Sequence, residues 1–311
     1  MNAAIDTGRV RGRVLRDEPM ARHTSWRVGG PADRYFEPAD RADLLAFIAS
    51  LADDEPLHWV GLGSNLLVRD GGLRGTVIAL HGALDTLVLE AATDADPESR
   101  TVFAEAGVHC ARLAKFTERE GLAGLGFMAG IPGTVGGALA MNAGAWGGET
   151  WPAVEAAEVV LCGGGTRWLT RNAVDYGYRH VALPEAALGF IAARFAVSAD
   201  ADGSQATAVR TQLARRKATQ PVGRPSAGST FRNPPGDFAA RLIEAAGLKG
   251  YRIGGAGISE QHANFILTET GARAADVEAL IGHVQRTVAE RTGIRLEAEV
   301  RVVGEPDGGA A

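Results

Sequence analysis

The sequence predicts an α+β protein in two parts. Apolar, strand-like runs alternate with helical stretches along the chain, without an obvious internal repeat. Glycine-rich loops at 61–65 and 124–148 interrupt that alternation. Few ordinary core elements tolerate so many glycines, because each costs backbone entropy in a helix or strand. Short polar residues from Ala199 to Gly203 mark a candidate boundary, beyond which the composition turns basic. At 311 residues the chain is long enough for two domains, or one large one, with a well-buried core.

Asp40 to Asp53 reads as a helix, capped by Asp40, with Leu44, Leu45, Phe47, Ile48 and Leu51 on its apolar side. Strands are expected near Trp59, Val68, Val77 and Leu87. The acidic, proline-containing stretch from Ala91 to Arg100 reads as a surface loop. A strand at Val102 to Ala106 precedes a helix from His109 to Glu120, stopped by Gly121. Ile131 to Thr134 reads as a turn, with Val135 to Met141 a short helix packed behind it. Val154 to Cys162 and Thr166 to Thr170 form a hairpin around Gly163, Gly164 and Gly165. Phe190 to Val197 is another strand.

Past the boundary, Ala206 to Ala218 is helix-like and carries Arg210, Arg215, Arg216 and Lys217, with Arg224, Arg232 and Arg241 beyond. Such a run is either a solvated face or a means of neutralising an anionic ligand. Asp237 to Ala246 reads as an amphipathic helix ended by Gly247. Asn264 to Thr268 is a short strand, and Ala275 to Arg291 a helix ended near Gly293.

Composition narrows the function. Hydrophobic residues make up 46% and charged residues 22%, the balance of a folded soluble chain. A net charge of −5 gives no support to a nucleic-acid partner. Met1 to Met20 is polar and interrupted by arginines, unlike a signal peptide, and no apolar run approaches a membrane span. Cys110 and Cys162 read as buried small hydrophobes, in keeping with a reducing, cytoplasmic compartment. Metal-ligand spacing is absent from the sequence, so no metal is expected.

The glycine loops carry the first chemical signal. Backbone that approaches a ligand closely and aims its N–H groups at it suits phosphate. Trp59 to Val68 runs from a strand into the turn Gly61-Leu62-Gly63-Ser64-Asn65 and back into a strand at Leu66. A Rossmann fingerprint would need glycine at position 66 and a helix after it, and a P-loop would need Gly-Lys-Ser/Thr; neither is present. What remains is a strand–turn–strand that is either a tight hairpin or a pyrophosphate cradle. The second loop, Gly130-Ile131-Pro132-Gly133-Thr134-Val135-Gly136-Gly137, serves either close helix packing or phosphate binding.

Taken in order, these segments resemble the UDP-N-acetylenolpyruvoylglucosamine reductase family, whose members make a precursor of bacterial peptidoglycan. The chain has His23-Thr24-Ser25 with Gly29-Gly30, then Gly61 to Leu67, then Gly130 to Gly137. Met141-Asn142-Ala143-Gly144-Ala145-Trp146-Gly147, Tyr178-Arg179, Ser226 to Pro234, and Leu296-x-x-Glu299-Val300 follow. The match runs from about residue 20 to residue 304.

The resemblance implies a two-lobed FAD-binding domain of the PCMH, vanillyl-alcohol-oxidase-like type, with a C-terminal α+β substrate domain. On that basis 1–20 is an N-terminal extension and 21–198 the FAD domain, with lobes of about 21–75 and 76–198. Residues 199–304 form the substrate domain and 305–311 a disordered tail. The cofactors implied are FAD and NADPH, and the substrate is UDP-N-acetylglucosamine enolpyruvate. Neither loop holds a histidine or cysteine, so the flavin is expected to be noncovalent. A monomer is expected.

The same resemblance assigns FAD contacts to Gly61, Gly63, Ser64, Asn65 and Leu66, and to Gly130, Ile131, Gly133, Thr134, Gly136 and Gly137. Hydride is delivered to the enolpyruvyl double bond, so negative charge develops on the adjacent carbon and its carboxylate. Arg179 is implied as the carboxylate-binding cation; read alone it is a surface arginine. Its rigid bidentate fork suits that task. The family pattern has a serine where this chain has Val181. Ser229 is implied as the proton donor, whereas alone it reads as a turn serine.

Glu299 is implied as the carboxylate that holds the proton network. Strand alternation sends Leu296, Ala298, Val300 and Val302 to one face and Glu299 to the other, which pattern alone reads as solvent-exposed. Arg232, Asn233 and His262 are implied substrate contacts, with a turn role for Asn233 and a core role for His262 as alternatives. Only about ten residues separate Arg179 from Phe190, without a tyrosine among them, so the chain resembles the branch lacking the tyrosine loop. The competing readings are an FAD-dependent sugar or alcohol oxidase and a nucleotide-binding module without turnover.

Overall fold

The computed structural model describes residues 10–91 and 100–308. Most of the loop expected at 91–100 lies outside the described residues, as do 1–9 of the expected extension and 309–311 of the expected tail. The described part of the extension includes a strand, Arg13–Pro19. The described part of the tail is held in place. Gly71 N–H donates to the Glu305 carbonyl at 3.0 Å, and Arg273 donates to Asp307 at 2.6 Å.

The chain divides into two compact units. One comprises the stretch ending at Leu15 with Tyr35–Gly61 and Thr76–Ala214; the other comprises Arg16–Arg34, Leu62–Gly75 and the stretch from Arg215. Strands 13–19, 31–37, 73–79 and 57–60 lie in that order in a four-stranded sheet, with 57–60 parallel to 76–79.

In the first unit, helix α1 (Arg41–Ala49) starts where the sequence places it. Asp40 caps it by accepting the Asp43 N–H, and Phe47 stacks on Phe36 with centroids 3.8 Å apart. The helix ends before the expected Asp53, because Ser50 turns back to the Phe47 carbonyl through both its N–H and its hydroxyl. An antiparallel sheet of order 166–170, 154–161, 187–199, 100–105, 87–90 forms the body of this unit. Helix α2 (Cys110–Arg119), the short helices α3 (Val135–Met141) and α4 (Thr150–Ala153), and the apolar side of the sheet enclose a core around Leu113, Met128, Leu139, Trp151 and Phe195.

Within that sheet, Glu158 is almost fully buried. Arg41 from α1 pairs with its Oε1, while Oε2 has no hydrogen-bond partner. The two cysteines diverge. Cys110 is buried, and burial pushes its thiol up to about 12. Cys162 is exposed, against the sequence expectation, because it stands in the 162–165 turn between two strands of the sheet.

Helix α5 (Ser204–Thr219) follows the polar turn at 199–203. Its first residues are stitched to the first unit, since Gln205 accepts from the Gly124 N–H at 2.8 Å and donates to the Leu122 carbonyl at 3.0 Å. The two units accordingly divide inside α5, at 214/215, downstream of that turn.

In the second unit, α6 (Ala239–Ala245) and α7 (Ala274–Thr292) pack their apolar stripes with the three-stranded sheet 252–253, 256–258, 266–268. Asp276 at the start of α7 accepts the N–H groups of Arg273 and Gly255, both at 3.0 Å. Gly293 closes α7 in the left-handed region. Trp26 lies wholly inside this core, and its indole N–H donates to the Ile266 carbonyl at 2.8 Å. Strand 66–68 runs parallel to 301–303 in the same unit.

Candidate active site

In the first unit Gly61, the first residue of one glycine loop, lies against Thr134 of the other. A Cβ on Gly61 would overlap the Thr134 hydroxyl, and Thr134 is itself buried. Gly130 lies against Ala145 and Trp146, and Gly136 against Ala106, so small residues are demanded there by packing. The amides of Gly133 and Gly136 donate to the carbonyls of Ile131 and Ala106, both at 2.9 Å. Gly137 is different. It is exposed, and a Cβ there would lie 3.9 Å from the Thr134 hydroxyl, in ordinary contact. That leaves backbone open to a ligand beside Thr134, while Ile131 anchors the turn in the apolar core.

In the second unit Gly63 adopts φ +60, and a Cβ there would collide with the His23 carbonyl. Its own carbonyl accepts the Ser25 N–H at 3.2 Å. The His23-Thr24-Ser25 motif is thereby tied to the Gly61–Asn65 turn. Ser64, next in the turn, is half-buried. Asn65 reaches the other end of the sequence: its Nδ2 donates to the Glu299 carbonyl at 3.1 Å, and its carbonyl accepts the Arg301 N–H at 3.0 Å. Leu66 begins the strand paired with 301–303.

Ser229 and Glu299 stand on neighbouring backbone. Glu299 N–H donates to the Thr230 carbonyl at 2.8 Å, Arg232 N–H to the Glu297 carbonyl at 2.9 Å, and Phe231 bridges Ala298. Both candidate catalytic side chains are half-buried, so Glu299 is drawn in further than strand alternation suggested. Asn264 braces the other edge of the Ser229 segment. Its Oδ1 accepts the Phe231 N–H at 2.9 Å, its Nδ2 donates to the Phe231 carbonyl at 2.8 Å, and its own carbonyl accepts the Thr230 N–H. A side-chain amide here does the work of a third strand.

The three implied substrate contacts are also in this unit. Arg232 lies 3.7 Å from Glu297. Asn233 is exposed, and its Oδ1 accepts the Ala239 N–H at 3.1 Å, the bond of a turn former at the head of α6. His262 packs edge-to-face on Phe265 at 4.8 Å, and its Nδ1 accepts the Asn264 N–H. Burial, reinforced by nearby Lys249, pushes His262 below the ordinary imidazole value. Of the basic residues on α5, Arg210 pairs with Glu118 on the surface, whereas Arg216 is drawn inward, and burial lowers its pKa.

Arg179 belongs to the first unit. It sits at the tip of the hairpin formed by 175–177 and 180–182, in the left-handed region at φ 54. Its guanidinium donates to the carbonyls of Asn142 at 3.3 Å and Gly144 at 3.1 Å, and lies 4.9 Å from the centre of the Tyr178 ring. Val181 pairs with Tyr176 inside the hairpin. Two asparagines, Asn142 and Asn264, carry more of this architecture than a motif reading assigns them. The signal for Asn142 was its place at the end of a short helix, where asparagine tolerates left-handed backbone.

Residues 32–170 match a family described as FAD binding domain, which defines the class: an α+β protein built on a flavin-binding fold. Residues 220–303 match the C-terminal domain of UDP-N-acetylenolpyruvoylglucosamine reductase. A relative of that name from Alkalilimnicola ehrlichii is 56% identical over 94% of this chain and 96% of its own. One from Methylococcus capsulatus is 51% identical over 98% and 97%. A crystal structure of UDP-N-acetylenolpyruvylglucosamine reductase from Thermus caldophilus superposes with a TM-score of 0.76 at 33% identity, covering 94% of this chain and 98% of that one.

The chain belongs to the UDP-N-acetylenolpyruvoylglucosamine reductase family. The fold class expected from the sequence holds: an α+β FAD-binding domain of this type, joined to the family's own C-terminal domain. Among the described residues, no helix is long and apolar enough to cross a membrane, and no group of three or more His, Cys, Asp or Glu could hold a metal ion.

Proposed function

We infer that the chain catalyses the NADPH-dependent, FAD-mediated reduction of UDP-N-acetylglucosamine enolpyruvate to UDP-N-acetylmuramate, a step in peptidoglycan precursor synthesis. The observation that carries this is identity above 50%, over nearly the whole of both chains, to relatives of that name. The reaction belongs in the cytoplasm, and we take the monomer as the working unit.

The residues present fit FAD. Gly61 against Thr134 and the open backbone at Gly137 support a close approach of a dinucleotide backbone, with the Ser64 and Thr134 hydroxyls as donors. The contact set proposed is Gly61, Gly63, Ser64, Asn65 and Leu66 with Gly130, Ile131, Gly133, Thr134, Gly136 and Gly137, holding the cofactor without a covalent bond. When bound, FAD carries hydride from NADPH to the enolpyruvyl carbon.

The chain's own task is to hold the substrate and manage one proton. Arg179 binds the enolpyruvyl carboxylate through its guanidinium fork and stabilises charge that builds on it. Ser229 gives the proton of its Oγ to the carbon beside the carboxylate. A hydroxyl is a weak acid, so it serves only when oriented next to a strongly basic centre; the bracing by Asn264 supports such orientation. Glu299 holds the proton network from the adjoining backbone. Arg232, Asn233 and His262 contact the sugar nucleotide, His262 as the neutral imidazole.

The deciding experiment is anaerobic stopped-flow absorbance with the flavin already reduced. Adding UDP-N-acetylglucosamine enolpyruvate should reoxidise it without oxygen. Reoxidation only when air enters would move the assignment to an oxidase of the same binding fold. A protein that never retains flavin would favour a nucleotide-binding module.

A further inference from the structure

Arg179 holds backbone angles that a non-glycine residue adopts only when its surroundings impose them. The residue in contact with both the hairpin and its tip is Asn142, itself left-handed at φ 44 and wholly buried. Its Nδ2 donates to the Gly177 carbonyl and to Glu149 Oε2, both at 3.0 Å. Its Oδ1 accepts the Trp151 N–H at 2.9 Å. Its main-chain carbonyl accepts one guanidinium nitrogen of Arg179, and the Gly144 carbonyl, two residues on, accepts the other. One residue therefore grips both the strand leading into the hairpin and the head group at its tip. Every polar atom of the Asn142 side chain is committed, with donors facing two acceptors and the acceptor facing an N–H.

We propose that Asn142 is a positioning residue for the enolpyruvyl half of the reaction, setting the guanidinium of Arg179, with Glu149 steadying its amide. The proposal rests on the reading of Arg179 as the carboxylate-binding group. Bidentate recognition of a carboxylate depends on the plane and height of the guanidinium. A displacement of about 1 Å costs on the order of 100-fold in rate. Asn142→Asp keeps the shape but puts an anionic oxygen against the Gly177 carbonyl and Glu149. Asn142→Ala removes the grip and leaves the Gly177 carbonyl without its donor.

The test uses the FAD-loaded full chain and reads the two half-reactions separately. In Asn142→Asp and Asn142→Ala, reduction of the flavin by NADPH should stay within about twofold of the parent. Reoxidation by UDP-N-acetylglucosamine enolpyruvate should slow by about 10- to 100-fold, with a raised KM for that substrate alone. The double variant Asn142→Ala/Arg179→Ala should be no slower than Arg179→Ala, because the first change acts through the second residue. Multiplying losses, or equal slowing of both half-reactions, would overturn the proposal.

Should the Asn142 variants fail to fold, Glu149→Ala carries the test, with a several-fold loss confined to reoxidation expected; an unchanged rate overturns the proposal. An impaired Arg179→Ala beside unimpaired Asn142 variants overturns the proposal alone. An unimpaired Arg179→Ala overturns the reading of Arg179 and the proposal with it.

Discussion

Ser229 shows how much a single side chain can be asked to do. Its hydroxyl is half-buried on a segment fixed on one edge by Asn264 and on the other by the backbone of 297–299. Ser229→Ala should leave reduction of the flavin by NADPH intact and slow substrate reduction by about 100- to 10,000-fold, the range of a lost general acid. Single-turnover kinetics of each half-reaction separates the two. Slowing of both together would remove the proton-donor role. At Arg41 and Glu158 the issue is stability. Arg41→Ala strands a carboxylate inside the sheet and should lower unfolding free energy by about 3 kcal/mol in urea titrations. Replacing both residues by leucine should recover most of that loss. Neither Arg179 nor Ser229 would have been chosen from pattern alone. The partners that define them lie far away in sequence, Arg179 being bonded to a carbonyl 37 positions earlier and the Ser229 segment to a side chain 33 later.

At the scale of elements, sequence and structure agree most closely where local chemistry decides. Asp40 caps α1, Gly121 follows α2, Gly293 ends α7, and the hairpin around Gly163 to Gly165 forms as expected. Agreement fails for both local and tertiary reasons. Ser50 shortens α1, Cys162 is exposed on its turn, and Gln205 ties the head of α5 to Gly124 and Leu122, 81 and 83 positions upstream. The glycine loops also needed the structure, since Gly63 and Gly136 are required by neighbouring protein atoms and Gly137 by none. Gly63→Val should therefore destabilise by roughly 2 kcal/mol or more, through left-handed backbone and collision with the His23 carbonyl. Bound flavin per chain should fall with it, as measured by absorbance beside a thermal melt. Asn264→Ala should cost about 1–3 kcal/mol by leaving the Phe231 backbone unpaired. Amide exchange at Phe231 should rise in that variant.

For the whole molecule, two histidines set an acid-side weakness. His262 is pushed below 6.5 first by burial and then by Lys249, and His109 first by burial and then by His81 and Arg112. Unfolding returns both to ordinary values, so the unfolded chain binds more protons in that range. Stability is thus fully present above pH 6.5 and declines as pH falls through it toward the lower folded values. Asp237, held to about 2 chiefly by the side-chain bond from Arg241, adds a loss only below 3.8. Melting temperatures between pH 8 and pH 5 should fall, and His262→Gln should flatten that decline; an unchanged slope would place its origin elsewhere.

The second unit completes its interior with Trp26, a tryptophan 240 positions ahead of the residue it bonds, and with Val28 and Leu67 beside it. A fragment beginning at Arg215 would be a body missing its own centre. Such a unit cannot be shuffled between proteins as a cassette, and its two ends must evolve as one.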